Sequence, residues 1–411
     1  MNRNPISPLV GAVLATFTIG AFAQTAAPVK PTYEIPTGDT KKDEVGPRGI
    51  SLQDGVTLFP SVGFSFGRDD NLFLTNVSPK SSTIYTLSPA LKLQARKSDT
   101  ILTFDLNSKS ARYAQSRADD YTDYRAAGTG EFIFSSRMAL RLGADYNRGH
   151  DPRGSNDRGI SAEPDQFRNS GANGLFAFGG NEARGRFEFE ASSYNKRYLN
   201  NRATTVGSDR KTDAFAGRFF TRLTDKTAFL VEARESRLDY KSATSTLDSK
   251  ERFYLAGVTW DATAATSGTI KVGQIRKDFA SSRIPDFSGT GWDAAVQWSP
   301  MTYSRLGFST SKEFGESTGV GDFILKKSYG VNWTHDWNSR FTSVAYVTRA
   351  DDDFTNGGRN DTTDSIGLKL NYKVQRWLIL GGEFSNTERD SNISTLRYKR
   401  NIYSFTVGAT L

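Results

Sequence analysis

The sequence predicts an all-β fold: a transmembrane antiparallel up-and-down β-barrel of about 18 strands (16–18), with short turns at one end and longer loops at the other. Three observations carry this. The 411 residues combine 37 Gly, 28 Phe and 16 Tyr with a hydrophobic fraction of only 37%. A mean hydropathy of -0.51 excludes a bundle of apolar membrane helices. From residue 55 onward apolar and polar residues alternate with period two, the signature of strands with one apolar face.

The N-terminus comes first in the chain. Arg3 precedes an apolar stretch from Leu9 to Ala23, and Ala21-Phe22-Ala23 is an A-x-A site. Residues 1–23 therefore read as a signal peptide cleaved before Gln24. Residues 24–54 hold four prolines and mixed charge without an apolar period, and read as a flexible periplasmic leader. The barrel is expected over 55–411.

Within it, Tyr85, Leu87, Leu91 and Leu93 alternate with Lys92, Gln94 and Arg96. Phe187, Phe189 and Ala191 alternate with Arg186, Glu188 and Glu190; Trp292, Ala294, Val296 and Trp298 form another stripe. Strand starts fall near 56, 83, 100, 121, 138, 166, 183, 211, 226, 250, 268, 287, 303, 323, 341, 362, 377 and 396. The strands starting near 166, 250 and 341 do not reveal which face points inward. Short connections (97–99, 135–137, 179–182, 223–226, 262–267, 300–302, 338–340, 374–376) alternate with longer polar ones (67–82, 114–120, 149–165, 199–210, 240–249, 279–286, 314–322, 351–361, 387–395). That alternation places the short turns in the periplasm and the long loops outside. Trp260, Trp298, Trp337 and Trp377 all lie beside short turns, as an interfacial aromatic girdle requires. The closing strand alternates Tyr403, Phe405, Val407 and Leu411, a pattern that the barrel-assembly machinery would read.

The residue inventory offers little to covalent chemistry. There is no cysteine, and the two histidines, His150 and His335, are far apart, so neither a thiolate nor a histidine metal site is expected. No nucleophile motif accompanies His150, and no cofactor or metal is implied. Asp69-Asp70-Asn71, Asp119-Asp120 and Asp351-Asp352-Asp353 lack a calcium-loop spacing and read as solvated loops or strand tops. The chemistry is expected in the lumen. If apolar alternates face lipid, Lys92, Arg96, Arg125, Arg141, Arg184, Arg186, Arg218, Arg222, Arg234 and Lys369 face the channel, against the acids Asp105, Glu131, Asp145, Glu188, Glu190 and Glu232. A modest basic excess in a low-dielectric wall would favour anions. The alternative is a lattice of Arg–Glu pairs that cross-links strands and cancels its own charge. Although the net charge is +8, the basic residues are dispersed, which disfavours a nucleic-acid partner.

Gly67-Arg-Asp69-Asp70-Asn71-Leu72-Phe73 resembles the D-D-N-hydrophobic-F element of an outer-membrane β-barrel porin family found beside bacterial exopolysaccharide biosynthesis and export genes. Asp120-Tyr-Thr-Asp123-Tyr124, His150-Asp-Pro-Arg-Gly154 and Gly289-Thr-Gly-Trp292 through Trp298-Ser-Pro300 add to the resemblance, which spans nearly the whole barrel. It implies an outer-membrane channel giving an exopolysaccharide passage to the surface, without covalent chemistry. The implied partners are outer-membrane lipid and lipopolysaccharide, the barrel-assembly machinery, a polysaccharide chain and a periplasmic export partner. Two further readings stay open: a general or substrate-specific porin taking up small solutes, whether anionic or not, and, as a minor one, a barrel enzyme or surface adhesin. Loop 149–165, loop 67–82 and the leader 24–54 are each long enough to constrict the pore, and the sequence does not choose among them.

Overall fold

The computed structural model describes residues 48–155, 161–181, 183–263 and 265–411; the segment expected to be a signal peptide and most of the expected leader lie outside the described residues. Nineteen strands follow in order: β1 (Ile50–Gln53), β2 (Val56–Asp69), β3 (Ser82–Lys97), β4 (Thr100–Tyr113), β5 (Tyr121–Ser135), β6 (Met138–Asp151), β7 (Asp165–Phe178), β8 (Gly185–Tyr198), β9 (Arg210–Thr224) and β10 (Thr227–Tyr240). Then come β11 (Ser249–Thr263), β12 (Thr266–Phe279), β13 (Phe287–Met301), β14 (Ser304–Gly315), β15 (Phe323–Asp336), β16 (Phe341–Thr355), β17 (Arg359–Gln375), β18 (Leu378–Ser391) and β19 (Tyr398–Thr410).

Strands β2 to β19 each pair antiparallel with the next, and β19 pairs with β2 from Ile402↔Asp69 to Thr410↔Ser61. This is a closed ring of 18 strands, so no edge is left with unpaired backbone groups in lipid. Strand β1 adds a short hairpin onto the start of β2, with Ile50 opposite Leu58. Regular structure thus begins inside the segment expected to be leader.

The alternation has the physical basis expected. Phe64, Phe66, Leu87, Phe104, Phe189, Phe215, Val272, Val347 and Phe405 are all exposed on the outer wall, where lipid rather than protein covers them. Trp298, Trp337 and Trp377 are exposed beside short turns. His335 packs among Trp333, Trp337 and Tyr303 with ring centroids 4.5–5.4 Å away, in the aromatic belt beside a short turn.

One expected loop is a strand. The ladder between β16 and β17 continues through Asp351↔Thr362, Asp352↔Asp361 and Asp353↔Asn360, leaving only residues 356–358 as a turn. Asn356 takes the left-handed conformation there, with φ 59°. The acidic run stays in the sheet because partners offset it. The Thr362 hydroxyl donates to Asp351, Lys326 lies 3.5 Å from Asp352, and Arg359 pairs with Asp361.

Candidate functional site: the lumen and its outer mouth

The inner wall has two unlike halves. On β3 to β6, lumen-facing side chains meet water. Arg125 lies 4.0 Å from Asp145, and Arg141 lies 3.6 Å from Glu131, yet both arginine side chains remain about half exposed, at 50% and 47%. Lys92 sits opposite Asp105 in the ladder, and Arg96 is exposed nearer the short-turn end.

On β8 to β13 the inward side chains pack on one another. Arg218 donates to Glu232 (2.7 Å) and Glu190 (3.0 Å) and lies 3.9 Å from Glu188. Arg186 reaches Glu188 at 2.8 Å, and Lys271 joins Asp293 (2.9 Å) to Glu232 (3.5 Å). The Glu188 side chain has no exposure and Glu232 only 2%, so this network cross-links the wall and presents little free charge. Buried pairs of this kind are costly to break singly, about 3–5 kcal/mol. The basic candidates therefore divide. Arg125, Arg141, Arg186, Arg218 and Lys369 have carboxylate partners, Lys369 with Glu383 at 3.2 Å. Arg234 lies over the Phe253 ring at 4.0 Å, and Arg222 donates to the Asn181 carbonyl at the short-turn rim. Arg184 is a correction: it is exposed in the turn before β8, where the chain has not yet entered the wall, and so lies at the rim. Sequence reading missed Lys271, although Ile270-Lys271-Val272 carries the same apolar-charged-apolar alternation as Leu91-Lys92-Leu93.

Loops 67–82 and 149–165, two of the segments the sequence offered for a constriction, hold each other at the rim. Arg153 lies over the Phe73 ring at 4.3 Å and donates to Asp119 and Ser116. Gly154, at φ +75°, sits where a Cβ would meet the Phe73 carbonyl oxygen at 2.3 Å. In the first loop, Asn71 donates to the carbonyls of Thr75 (2.7 Å) and Lys399 (2.8 Å). Asp70 accepts from the Asn401 backbone at 2.6 Å, and buried Asp69 pairs with Arg400. The D-D-N element thus clamps the seam between β2 and β19. His150 is only 10% exposed, 3.0 Å from Asp123 and packed at a tilt against the Tyr121 ring, with ring centroids 3.9 Å apart.

The segment that reaches inward is the hairpin tip of β14 and β15. Pairing of β13 with β14 stops at Asp293↔Ser311, whereas β14 and β15 stay paired to Gly315↔Ile324. Freed from β13, the tip crosses the lumen face of β11 to β13. Phe314 lies 5.6 Å from Phe253 and 5.8 Å from Phe287 by ring centroid; Phe323 lies 5.6 Å from Phe287 and 6.0 Å from Phe279. Phe323, Ile324 and Leu325 are consecutive and all buried, so both faces of the hairpin are covered. An ionic latch holds it. Lys277, 1% exposed, donates to Glu251 (2.7 Å) on the wall and to Glu316 (3.2 Å) at the tip, and Tyr240 donates to Glu316 as well. Burial alone would raise the Glu316 carboxyl, but Lys277 and Arg210 outweigh it and hold Glu316 below the usual carboxylate range.

A ring of strands with a water-lined half and an inward hairpin is the geometry of a channel, and the comparisons agree. The family described as "Putative beta-barrel porin 2" matches residues 46–411. The chain belongs to this family. No curated protein sequence matches the chain significantly. Among solved structures it is similar to OccK2 (OpdF) of Pseudomonas aeruginosa in complex with glucuronate, at 12% identity over 87% of this chain and 99% of that one, with TM-score 0.50. It is also similar to a BenF-like porin of Pseudomonas fluorescens Pf-5, at 9% identity over 88% and 100%, with TM-score 0.50. At such identities the likeness is one of fold. Family and fold together make this a porin-like barrel of the outer membrane.

Proposed function

We propose that the barrel is a passive channel for small anionic solutes and carries out no covalent chemistry. One observation carries the reading: Lys92, Arg96, Arg125 and Arg141 line the water-accessible half of the lumen as a spaced series of weak cationic stations. Conduction needs sites that attract an ion without holding it. Export of an exopolysaccharide, the expectation raised by the resemblance, has less support. The latched hairpin narrows the outer mouth, and an extended polymer would have to displace it. The glucuronate bound to OccK2 makes a sugar acid of that size the first probe to try here. In planar bilayers under a salt gradient, Arg125→Ser and Arg141→Ser are expected to shift the reversal potential toward cation preference. Unchanged potentials in both variants would sink the reading. Delivery to the outer membrane would depend on the barrel-assembly machinery reading Tyr403, Phe405, Val407 and Leu411 on the closing segment, with Tyr403 and Phe405 displayed outward.

A further inference from the structure

The outer wall carries a row of like charges with no ion-paired acid among the described residues. In the ladders, Arg148 on β6 stands opposite Arg168 on β7, and Arg168 stands opposite Arg197 on β8. All three follow the lipid-facing alternates of their strands, above Ala144, Ala172 and Ala191 respectively. Arg168 and Arg197 are exposed, and Arg148 donates to the neutral Gln166 at 3.0 Å. Among the described residues no carboxylate forms an ion pair with any of them. Like charges directly opposite in a sheet destabilise it. Elsewhere on the same outer rim several bases are answered, Arg252 by Glu235 and Asp278, Arg349 by Asp364, and Lys399 by Glu388, while Lys312 faces Lys327 as an isolated like-charge pair; among the described residues, only on β6 to β8 do three arginines stand in one continuous row across the ladder. With strands about 4.8 Å apart, the three arginines span about 10 Å at the long-loop end.

A second feature lies below them on the same strands. A groove of about 600 Å³ opens on the outer wall, lined by Gly174, Ala191 and Gly217 between Phe176, Phe189 and Phe215. A second groove of about 580 Å³ continues it to Val272 on β12 and shares Phe189, Gly217 and Tyr254. Gly174 is six residues from Arg168, and Ala191 six from Arg197, or about 20 Å along each strand. Allowing for a strand tilt of about 40°, the groove sits about 15 Å deeper in the membrane. That is acyl-chain depth beneath a headgroup-level row of cations.

We propose that this sector of β6 to β9 is a binding site for a phosphorylated glycolipid of the outer leaflet. The arginine row takes the phosphates of its disaccharide headgroup, and the acyl chains lie in the groove. Arginine suits the role because its planar fork binds phosphate oxygens bidentately. A row three strands wide above a groove several strands wide fits a bis-phosphorylated, multiply acylated disaccharide better than a single-phosphate diacyl lipid.

The test uses the folded full-length barrel in detergent, with thermal unfolding followed on addition of bis-phosphorylated lipid A, dephosphorylated lipid A or phosphatidylglycerol. Bis-phosphorylated lipid A is expected to raise the melting temperature most. The triple variant Arg148→Gln, Arg168→Gln, Arg197→Gln should fold with an unchanged or higher melting temperature of its own, since it relieves the repulsion. It should bind lipid A at least about tenfold more weakly. Ala191→Trp, which fills the groove and leaves the arginines in place, should also weaken binding. Equal stabilisation of wild type and triple variant would overturn the proposal. So would equal stabilisation by dephosphorylated lipid A, or by phosphatidylglycerol, which would reduce the row to a general affinity for anionic lipid.

Discussion

Replacing Glu316 by Gln tests the latch at the outer mouth. The substitution keeps the size of the side chain and an acceptor for Tyr240 but removes the charge that faces Lys277 at 3.2 Å. Lys277 retains Glu251 at 2.7 Å, so its ammonium is not left unpaired and the full penalty of a stranded buried charge does not apply. What is lost is one charge-assisted hydrogen bond, about 1.5–3 kcal/mol. The aromatic contacts of Phe314 and Phe323 remain and should hold the folded barrel together. At 1.4 kcal/mol per factor of ten, the ratio of docked to undocked hairpin should fall by roughly 10- to 150-fold. Single-channel recording in planar bilayers reads this directly: the variant should show more frequent or longer visits to a higher conductance level. A variant whose conductance levels and dwell times match wild type would refute the claim that the hairpin is a latched constriction.

Other predictions follow from the same contacts. Phe323→Ala should cost about 3–5 kcal/mol of local packing and also raise conductance, because Phe323 is nearly fully buried between the hairpin and the wall; unaltered conductance from a folded variant would contradict this. Gly273→Ala should impair folding, since a Cβ there would lie 1.9 Å from the Tyr254 carbonyl oxygen; the fraction of folded barrel migrating fast on unboiled gels measures it. Asn71→Ala should loosen the seam by about 1–3 kcal/mol, by removing the donors that satisfy Thr75 and Lys399, and should lower the unfolding temperature. Arg218→Ser should destabilise the barrel more than Arg125→Ser does, because Arg218 joins three carboxylates and Arg125 lies half exposed beside one.

The barrel was legible because lipid imposes a strict period-two constraint on every strand. All expected strand starts fall within three residues of the observed ones, the largest offset being 362 against Arg359. The strand starting near 250 hid its facing because β11 is apolar on both sides: Tyr254 meets lipid while Phe253 and Leu255 enter the cluster beneath the hairpin. The acidic run at 351–353 misled because its partners, Lys326 and Thr362, lie on other strands. The latch was not legible for a similar reason. Lys277, Glu251, Glu316 and Tyr240 come from four separate segments, and charges at strand tops read as a solvated rim. One signal was present: Phe279, Phe287, Phe314 and Phe323 flank two adjacent outer loops, where aromatic residues facing only water would be out of place. The lumen list was half informative. Alternation found the inward bases, but pairing, which depends on register, decided which of them stay open to water.

The most direct test of a small-solute channel is swelling of liposomes containing the purified barrel, in isotonic glucuronate and then in a long acidic oligosaccharide. The account predicts rapid swelling in glucuronate, none in the oligosaccharide, and slower glucuronate entry for Arg125→Ser with Arg141→Ser. Equal entry of both solutes, or entry of neither through a folded barrel, would contradict it.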